Sequence, residues 1–295
     1  MLVVGEAYED WIFVGLSSWP GPGQELKTDQ LHRTAGGGAL ITAVAAARLG
    51  LPVTLLSALG HNQQALLGNE GVKVINLMQP GEEPAITVVL TTPENRSFLT
   101  YNGVNSQLEL RLHDALSGWT SWESGQHVHC AFEPRNPQLW ASFFREQRKA
   151  GVTVSWDFGW SAALPKREGF ADLLQSLDIV FLNQDEAVLY SCTPNLSSAL
   201  NWWSDLDRCV VVRQGAEGAF WLHGSERHTA PSPAVTVADT TGAGDAFNAG
   251  FLFAWLQKLS PLECLQAGNH LGAQSVTAIG GLAGLTDIRS SSTSS

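Results

Sequence analysis

The sequence predicts an α/β protein with a mostly parallel central sheet in a three-layer α/β/α sandwich, together with a small separate β-sheet. Short apolar runs rich in Val, Ile and Leu alternate with longer helical patterns along most of the 295 residues. Such runs are typical of strands that are buried on both faces, as in parallel sheets. Two other segments alternate polar and apolar residues with period two, which is typical of antiparallel strands with one wet face.

The order of the apolar runs predicts the core elements. The first strand ends in Gly5, and an Ala-rich helix follows the glycines at 36–38. Gly50 closes that helix, because glycine readily adopts the left-handed conformation found at helix C-termini. The later runs predict strands at 52–60, 126–133, 152–158, 178–183, 208–215 and 218–224, helices at 136–151, 170–177, 184–192 and 195–206, and a last helical region that opens at Asp245.

Two insertions interrupt this rhythm and predict a small sheet that stands off the main one. Their period-two alternation runs from Trp11 to Ala35 and from Pro84 to Asn105, with a hairpin turn predicted at 93–95. The predicted division is a core of 1–10, 34–83 and 105–288, a β-sheet lid of 11–33 and 84–104, and a disordered serine-rich tail of 289–295.

Composition and charge argue against several classes of partner. The formal net charge is −11, whereas nucleic acids and anionic membrane surfaces favour basic patches. The sequence shows neither a signal segment nor an apolar run of about 18 residues. Four widely spaced cysteines predict reduced thiols. We therefore expect a cytoplasmic protein that binds neither nucleic acid nor membranes.

A histidine-rich strand offers an alternative metal site. His127 and His129 share a face of that strand, and Cys130 follows them. No second cluster of ligands accompanies these residues, so buried structural side chains are favoured over a zinc site.

The stretch TTGAGD, from Thr240 to Asp245, is the sharpest candidate for chemistry. Consecutive amides of small residues at a helix N-terminus form an anion site, and the acid stands where a substrate hydroxyl would meet it. Asp245 is therefore placed to accept a proton during phosphoryl transfer. An Asp that only caps the helix after a tight turn explains these residues equally well. The motifs G-x-x-x-x-G-K-[ST], G-x-G-x-x-G and G-x-S-x-G do not occur.

Extended along the chain, DTTGAGDAFNAGF resembles the C-terminal signature of the ribokinase-like (PfkB-type) carbohydrate kinases. VVGEAYEDWI is similar to that family's first strand and sugar-binding Asp, and AGGGALITAVAAARLG to its di-glycine motif. FLNQDEA is similar to its N-x-x-E element, VVVRQGAEGAF to its nucleotide-side strand and turn, and ECLQAGNHLGAQSV to the helix beside the adenine. The similarities follow in order from Leu2 to Leu285. They imply an ATP-dependent kinase that phosphorylates a sugar hydroxyl beneath a β-sheet lid.

The resemblance also implies roles for the matching residues. Asp245 corresponds to the base that deprotonates the acceptor hydroxyl, while the amides of Gly242, Ala243 and Gly244 hold the phosphoryl charge. The implied sugar contacts are Asp10, Gly36, Gly37 and Glu133. The implied nucleotide contacts are Asn183, Glu186, Arg213, Gly215, Gly218 and Asn269, with Glu186 acting on Mg²⁺ through water. The implied monovalent cation site, which would take K⁺, consists of Asp239, Thr241 and the backbone of 275–280.

Plainer roles stay open for several of these residues. Asn183 and Glu186 also fit a helix start, Glu133 a strand-end acid, and Asn269 ordinary helix packing. A ligand-binding protein on the kinase scaffold, without turnover, is an alternative function. The intact Asp245 and the N-x-x-E element argue against that alternative.

Departures from the family pattern bear on the acceptor. Ile41 and Tyr8 replace small polar residues that contact sugar in relatives, and the segment after Gly60 is short and lacks an acidic pair. The run 157–161 lacks the Arg that pairs with sugar acids, and Asn102 stands where acid-using relatives often carry Arg. We therefore expect a neutral sugar as the small-molecule substrate, with a nucleoside as the near alternative.

The tryptophans and the lid complete the expectations. Trp11, Trp156 and Trp160 lie near loops that face the sugar in the implied fold, where an indole could stack on a sugar or a base. Burial in the core is the commoner fate of any single tryptophan. Lid edges pair between subunits in many relatives, so the resemblance implies a homodimer through the lid as a candidate assembly.

Overall fold

The computed structural model describes residues 1–92, 96–120 and 122–285, with only the backbone of residue 96. Its strands are β1 (Leu2–Gly5), β2 (Tyr8–Val14), β3 (Gln30–Gly36), β4 (Thr54–Ser57), β5 (Lys73–Asn76), β6 (Ile86–Thr91), β7 (Arg96–Tyr101), β8 (His127–Ala131), β9 (Thr153–Asp157), β10 (Ile179–Asn183), β11 (Cys209–Arg213), β12 (Ala219–His223) and β13 (Glu226–Ala230).

The helices found in these ranges are α1 (Gly38–Arg48), α2 (His61–Asn69), α3 (Leu108–Ser117), α4 (Pro137–Lys149), α5 (Phe170–Ser176), α6 (Gln184–Ser191), α7 (Leu196–Ser204), α8 (Ala243–Leu256) and α9 (Pro261–Ser275). Short 3₁₀ turns occupy Gly103–Gln107, Leu164–Lys166 and Gly215–Glu217. None of the helices in the described ranges has the length and apolar character needed to cross a bilayer.

The main sheet has the strand order β13-β12-β11-β10-β9-β8-β1-β4-β5. The strands from β5 to β11 in this order are parallel, because helical crossovers return the chain to the same edge each time. At one side of the sheet the pairs β11–β12 and β12–β13 are antiparallel, so β12 runs against the direction of the parallel strands and β13 runs with them. Strands β1 and β8 are buried along their whole length. Burial on both faces explains why β1 is entirely apolar, whereas β8 also buries His127 and His129.

Helices cover both faces of this sheet. On one face, α3 to α7 pack on alternate strand residues around an aromatic cluster that includes Trp140, Phe144 and Trp156. On the other face, α1, α8 and α9 pack on residues such as Val3 and Phe181. The predicted three-layer α/β/α sandwich is therefore confirmed.

A separate four-stranded sheet forms from the two insertions, in the order β3-β2-β6-β7. Its outer pairs are antiparallel, whereas the central pair β2–β6 is parallel. That pair is parallel because the core elements α1 to β5 lie between its strands in the sequence. The predicted turn at 93–95 and the tail at 289–295 lie outside the described residues.

The carboxyl ends of the parallel strands meet at one edge of the main sheet. The residues at or just beyond these ends include Glu6, Glu133, Asp157, Asn183 and Arg213. In open α/β sheets this edge is where ligands bind. The fold thus gathers polar side chains that are up to about two hundred residues apart in the chain.

Candidate active site

Helix α8 begins without a side-chain cap. Gly242 is its N-cap residue with φ of 74°, and no side chain bonds to the first-turn amides. A Cβ at this position would lie 2.8 Å from both Gly281 Cα and Ile41 Cδ1, so a side chain would strain the turn. The Ala243 amide donates to the Thr240 carbonyl at 3.3 Å. Among the described residues the amides of Gly242 and Gly244 have no acceptor, which leaves them available to an anion.

Asp245 lies in the first turn of this helix. Burial raises the pKa of its carboxyl to about 7, the Asp157 charge acts in the same direction, and Arg213 partly opposes them. Helix α1 approaches closely, since a Cβ on Gly38 would lie 3.0 Å from Asp245 Oδ1. The Thr42 hydroxyl donates to the Asp245 carbonyl at 3.2 Å. The carboxylate is thus held against two helices while its oxygens stay free of a hydrogen-bonding cap.

A buried hydrogen-bond network holds helix α8 at Asn248. Arg213 Nη1 donates to Asp157 Oδ2 at 2.8 Å and to Asn248 Oδ1 at 2.9 Å. Asn248 Nδ2 donates to the same Asp157 oxygen at 2.7 Å. A Cβ on Gly244 would lie 2.7 Å from Arg213 Nη1, so the glycine makes room for the guanidinium. Arg213, which was predicted at the nucleotide side, therefore packs against Gly244 in the first turn of α8.

Asp157 and Asn248 were not among the predicted site residues. Both carried a signal in the sequence: Asp157 ends a buried strand, and Asn248 follows Asp245 by three residues, which places the two on neighbouring positions of one helix face. Burial acts to raise the pKa of Asp157, but the charge of Arg213 together with the hydrogen bonds from Asn248 and Arg213 lowers it below its ordinary value. An ionised Asp157 and a cationic Arg213 form a short ion pair in the protein interior.

Asn183 and Glu186 form a capping box at the start of α6. The backbone amide of Asn183 donates to Glu186 Oε2 at 2.8 Å, and the backbone amide of Glu186 donates to Asn183 Oδ1 at 2.8 Å. The plainer helix-start role therefore applies to both residues. Glu186 is nevertheless buried, and burial raises its pKa to about 7. Its carboxylate lies 3.9 Å from Arg213 Nη2, which joins it to the network under α8.

The Asp10 side chain packs closely against Gly36. A Cβ on Gly36 would lie 1.8 Å from Asp10 Oδ2, so the first of the two glycines makes room for the carboxylate. Asp10 is only 5% exposed, and burial, followed by the charge of Asp239, raises its pKa to about 7. Gly37 is the N-cap of α1 with φ of 94°. A buried acid without a hydrogen-bond donor in the described structure is a group that a ligand can satisfy.

Glu133, by contrast, is already paired. Its Oε1 accepts from the Ser161 hydroxyl at 2.5 Å and from Arg167 Nη2 at 2.6 Å. The expected sugar contact and the strand-end acid are both compatible with this position, and the contact stays a prediction.

Asp239 ties two loops together. Its Oδ1 accepts from the Thr241 amide and hydroxyl at 2.9 and 2.8 Å, and its Oδ2 accepts from the Gly280 amide at 2.9 Å. The structure thus brings the predicted cation-site residues together around one carboxylate. Binding of K⁺ there stays a prediction.

The predicted nucleotide side is organised around the end of β13. Gly218 has φ of 104°, and a Cβ there would lie 2.0 Å from the Ala230 carbonyl. Asn269 Nδ2 donates to the carbonyls of Ala230 and Pro231 at 2.9 and 3.3 Å. Gly215, with φ of 58°, opens the turn between β11 and β12. These contacts fix the loop after β13, and a role in adenine binding stays a prediction.

The three tryptophans singled out in the sequence differ in their exposure to solvent. Trp156 is fully buried in the core, whereas Trp160 is 63% exposed. Arg33 lies over the ring of Trp11, with its guanidinium carbon 4.8 Å from the ring centre.

The zinc alternative gains no support. His127 and His129 both bond to Ser155, while Cys130 belongs to the core on the opposite face of the sheet. No group of three or more ligands that could hold a metal occurs in residues 1–92, 96–120 and 122–285. The four cysteines are free thiols.

The pfkB family carbohydrate kinase profile matches residues 1–288 of the sequence. The chain belongs to that family. It is therefore an ATP-dependent sugar phosphotransferase, as the motifs predicted. The match extends beyond the α8 signature and includes both sheets.

The kinase is similar to several characterised proteins. It is 29% identical over 263 residues to the ATP-dependent ribose-1-phosphate kinase of Halopiger xanaduensis, covering 82% of this chain and 80% of that one. It is 25% identical over 270 residues to a nucleoside kinase of Methanothermobacter thermautotrophicus, covering 90% and 85%. The crystal structure of an ADP-bound ribokinase from Cryptococcus neoformans superposes with a TM-score of 0.79 at 21% identity, covering 96% and 95%. The last likeness confirms the fold.

Proposed function

We propose that this kinase transfers the γ-phosphoryl group of ATP to a hydroxyl of a neutral sugar or sugar-like molecule, with Asp245 as the general base. The observation that supports this most directly is the position of Asp245: a half-buried carboxylate in the first turn of α8, next to the Gly242 and Gly244 amides, which have no acceptor among the described residues. A base and an anion site within one helical turn are what phosphoryl transfer requires.

The proposed step conserves atoms and charge as follows. The acceptor hydroxyl gives its proton to the Asp245 carboxylate, and the acceptor oxygen forms a bond to the γ-phosphorus. The bond from that phosphorus to the β–γ bridging oxygen breaks, and ADP leaves with the electron pair. The amides of residues 242–244 stabilise the charge on the transferred group. A pKa of about 7 suits a base that must accept a proton near neutral pH.

Arg213 acts on the same helical turn as a positioning residue. Its guanidinium lies under Gly244, where the ion pair with Asp157 fixes it. It holds Asn248 and therefore the first two turns of α8, which carry the base and the anion site. Its positive charge also limits how far burial raises the pKa of Asp245.

The residues present fit a magnesium ion that accompanies ATP. Mg²⁺ usually keeps several waters and takes only one or two carboxylates together with phosphate oxygens. Glu186 supplies one buried carboxylate with few competing donors. When bound, the ion would neutralise charge on the phosphates. Gly215, Gly218 and Asn269 are the proposed nucleotide contacts, and Asp239 with Thr241 the proposed K⁺ site.

The acceptor is proposed from this chain's own residues and from the names of its relatives. The relatives act on ribose 1-phosphate and on nucleosides, which span two acceptor classes. Trp160, which is exposed and follows Asp157 by three residues in the chain, is the feature that favours a nucleoside as the second candidate, because an indole stacks well on a base. Glu133 and Gly37 are proposed to contact the acceptor alongside Asp10 and Gly36.

Replacing Asp245 by Asn tests the mechanism. The amide keeps the shape and the N-terminal helix preference but removes the basic site, so turnover should fall by roughly 10²–10⁴. ADP formation is measured with a panel of sugars and nucleosides, first to find the best acceptor and then to compare the variant. The variant should retain ATP binding, which is measured by calorimetry.

The matched control is Asp172→Asn. Asp172 is an exposed acid in the first turn of α5, so the same substitution there should leave turnover unchanged. Near-normal turnover of Asp245→Asn on the best acceptor would contradict a general-base role. A wild-type protein that binds panel members without forming ADP would instead favour the alternative of a silent binding protein.

A further inference from the structure

Glu6 is an unassigned acid at the edge where the site forms. Its backbone is fixed on both sides: its amide donates to the Ala131 carbonyl at 3.0 Å, and its carbonyl accepts from the Ala39 amide at 3.3 Å. The residue therefore stands between β1, β8 and the start of α1. Its carboxylate forms no ion pair with a described side chain, and burial raises its pKa.

Tyr8 holds this carboxylate. The Tyr8 hydroxyl donates to Glu6 Oε2 at 2.7 Å. A phenol has a single hydrogen to donate, so this bond leaves the Tyr8 oxygen only as an acceptor. Glu6 Oε1 has no donor among the described residues and stays available to a ligand.

Asn105 provides an independent sign of a missing partner. It follows Gly103 in a 3₁₀ turn, is 5% exposed and interacts with the Tyr8 hydroxyl. Its Nδ2 donates to the Ala7 carbonyl at 3.1 Å, while its Oδ1 is buried without a hydrogen-bond partner. Buried polar atoms without a partner are rare and are commonly satisfied by a ligand or water.

These groups share one chemical property. Glu6 Oε1, Asn105 Oδ1 and the Asp10 carboxylate are all hydrogen-bond acceptors. Two cations lie nearby: the charge of Arg135 lowers the pKa of Glu6 while its Nη1 donates to the Ser106 carbonyl, and Arg167 donates to Glu133 and to the Pro134 carbonyl. The acceptor wall, defined as Glu6, Tyr8, Asp10 and Asn105, therefore complements a molecule that presents several hydrogens and no anionic group.

We propose that Glu6, held by Tyr8, is a specificity-determining residue of the phosphoryl-acceptor site that selects neutral polyols and amino sugars and rejects acceptors with a phosphate or carboxylate on that side. This inference rests on the proposed function, since it names the acceptor class of the same site. A hydroxyl or an ammonium group satisfies the wall. A phosphate facing two carboxylates would be repelled and left without donors, and such mismatches change affinity by orders of magnitude.

Calorimetric titration without nucleotide tests the acceptor class directly. The probes are ribose, ribose 1-phosphate, myo-inositol, glucosamine and gluconate. We expect at least one neutral or amino probe to bind, and we expect ribose 1-phosphate and gluconate to bind about tenfold or more weakly than the best of them. Tighter binding of an anionic probe than of every neutral probe, or no binding by any probe, would overturn the proposal.

Two variants test the residue. Glu6→Gln keeps the side-chain size but places a donor or a weaker acceptor on the wall, so affinity for the best probe should fall about tenfold or more. Tyr8→Phe removes only the hydrogen bond that holds Glu6, and a smaller loss is expected. Glu9→Gln is the matched control, because Glu9 lies on the opposite face of β2 from Asp10. Thermal unfolding verifies that each variant is folded.

The outcomes separate this inference from the general-base proposal. Unchanged affinity in folded Glu6→Gln and Tyr8→Phe proteins would refute a role for Glu6. Asp245→Asn should bind the same probes as the wild type does, because the acceptor wall is intact in it. Normal turnover of Asp245→Asn combined with a loss of binding in Glu6→Gln would leave the acceptor wall supported and the base refuted.

Discussion

At the residue scale, three acids named as candidate site residues have raised pKa values. Burial is the first cause that raises the pKa of Asp10, Asp245 and Glu186, each to about 7. Each of these acids would be ionised at neutral pH in an unfolded chain. Folding therefore makes their ionised forms more costly. As a result, these three acids lower the stability of the folded protein at neutral pH.

We predict that Asp245→Asn stabilises the protein, by an amount that depends on pH. The folded carboxyl binds a proton between about pH 4 and pH 7 where the unfolded one does not, so wild-type stability declines as pH rises through this window. The stabilisation by Asn should increase up to about pH 7 and then level off. Because Asp245 is half-buried, we expect on the order of 1–3 kcal/mol, or a few degrees in Tm, at pH 8.

Thermal melts of both proteins from pH 5 to pH 8 measure this effect. A difference in Tm that is constant over the whole pH range would show that burial does not shift the pKa of Asp245. Asp172→Asn again provides the control, with a difference near zero at every pH.

The sequence identified individual acids better than their partners. Asp10, Asp245 and Glu186 were recognised from their motifs, and in the structure the charges of Glu186 and Asp10 both act to raise the pKa of Asp245. The bond between Arg213 and Asp157 joins residues 56 positions apart, and no local pattern specifies it. Glu6 was overlooked because a strand-end acid is common, and only the buried partners of its carboxylate single it out.

At the element scale, local pattern was informative where it was strong. The buried strands and the Ala-rich helix were predicted, whereas α2, α3, β5 and β13 were not assigned. In α3, Leu108, Leu112 and Leu116 recur at helical spacing and are buried, so the signal was present. In α2 only Gln63 and Leu67 are buried, and so polar a helix carries almost no periodic signal. The parallel pairing of β2 with β6 is a tertiary property that period-two alternation cannot specify.

The turn between β3 and α1 gives a prediction about the acceptor site. Gly36→Ala would place a methyl group 1.8 Å from the present position of Asp10 Oδ2, so the carboxylate must move. We expect the acceptor KM to rise about tenfold or more while the ATP KM changes little, because Asp10 is proposed to contact the acceptor and not the nucleotide. Steady-state kinetics with each substrate varied in turn measures this split.

Gly68→Ala is the control for this substitution. Gly68 lies in α2 with open space around it, so Ala should leave both KM values unchanged. An unchanged acceptor KM in folded Gly36→Ala would show that Asp10 does not contact the acceptor.

At the scale of the whole molecule, the four-stranded sheet is separate from the nine-stranded sheet of the core. Its strand β2 carries Asp10, the proposed acceptor contact, and its strands β3 and β7 form its two edges. We propose that this sheet acts as the lid predicted from residues 11–33 and 84–104. Closure over the cleft would exclude water and suppress ATP hydrolysis.

The lid also gives a prediction about assembly. Leu99 and Tyr101 on the edge strand β7 are 70% and 56% exposed, and Leu31 on β3 is 40% exposed. An edge strand with exposed apolar residues is prone to pair with another chain, so we expect a homodimer through the lid. Sedimentation equilibrium of the wild type should show a dimer, and Leu99→Lys should shift it towards monomer, because a charge on this edge opposes pairing.

The matched control is Leu110→Lys, since Leu110 is 66% exposed on α3, away from the lid edge, and its replacement should leave the dimer intact. Kinetics connects assembly to function: if the partner's lid helps closure, the Leu99→Lys monomer should hydrolyse more ATP per phosphorylated acceptor than the dimer does. A wild-type protein that sediments only as a monomer would exclude the dimer. It would leave the lid itself to be tested by the ratio of ATP hydrolysis to acceptor phosphorylation, which should still fall when acceptor is bound.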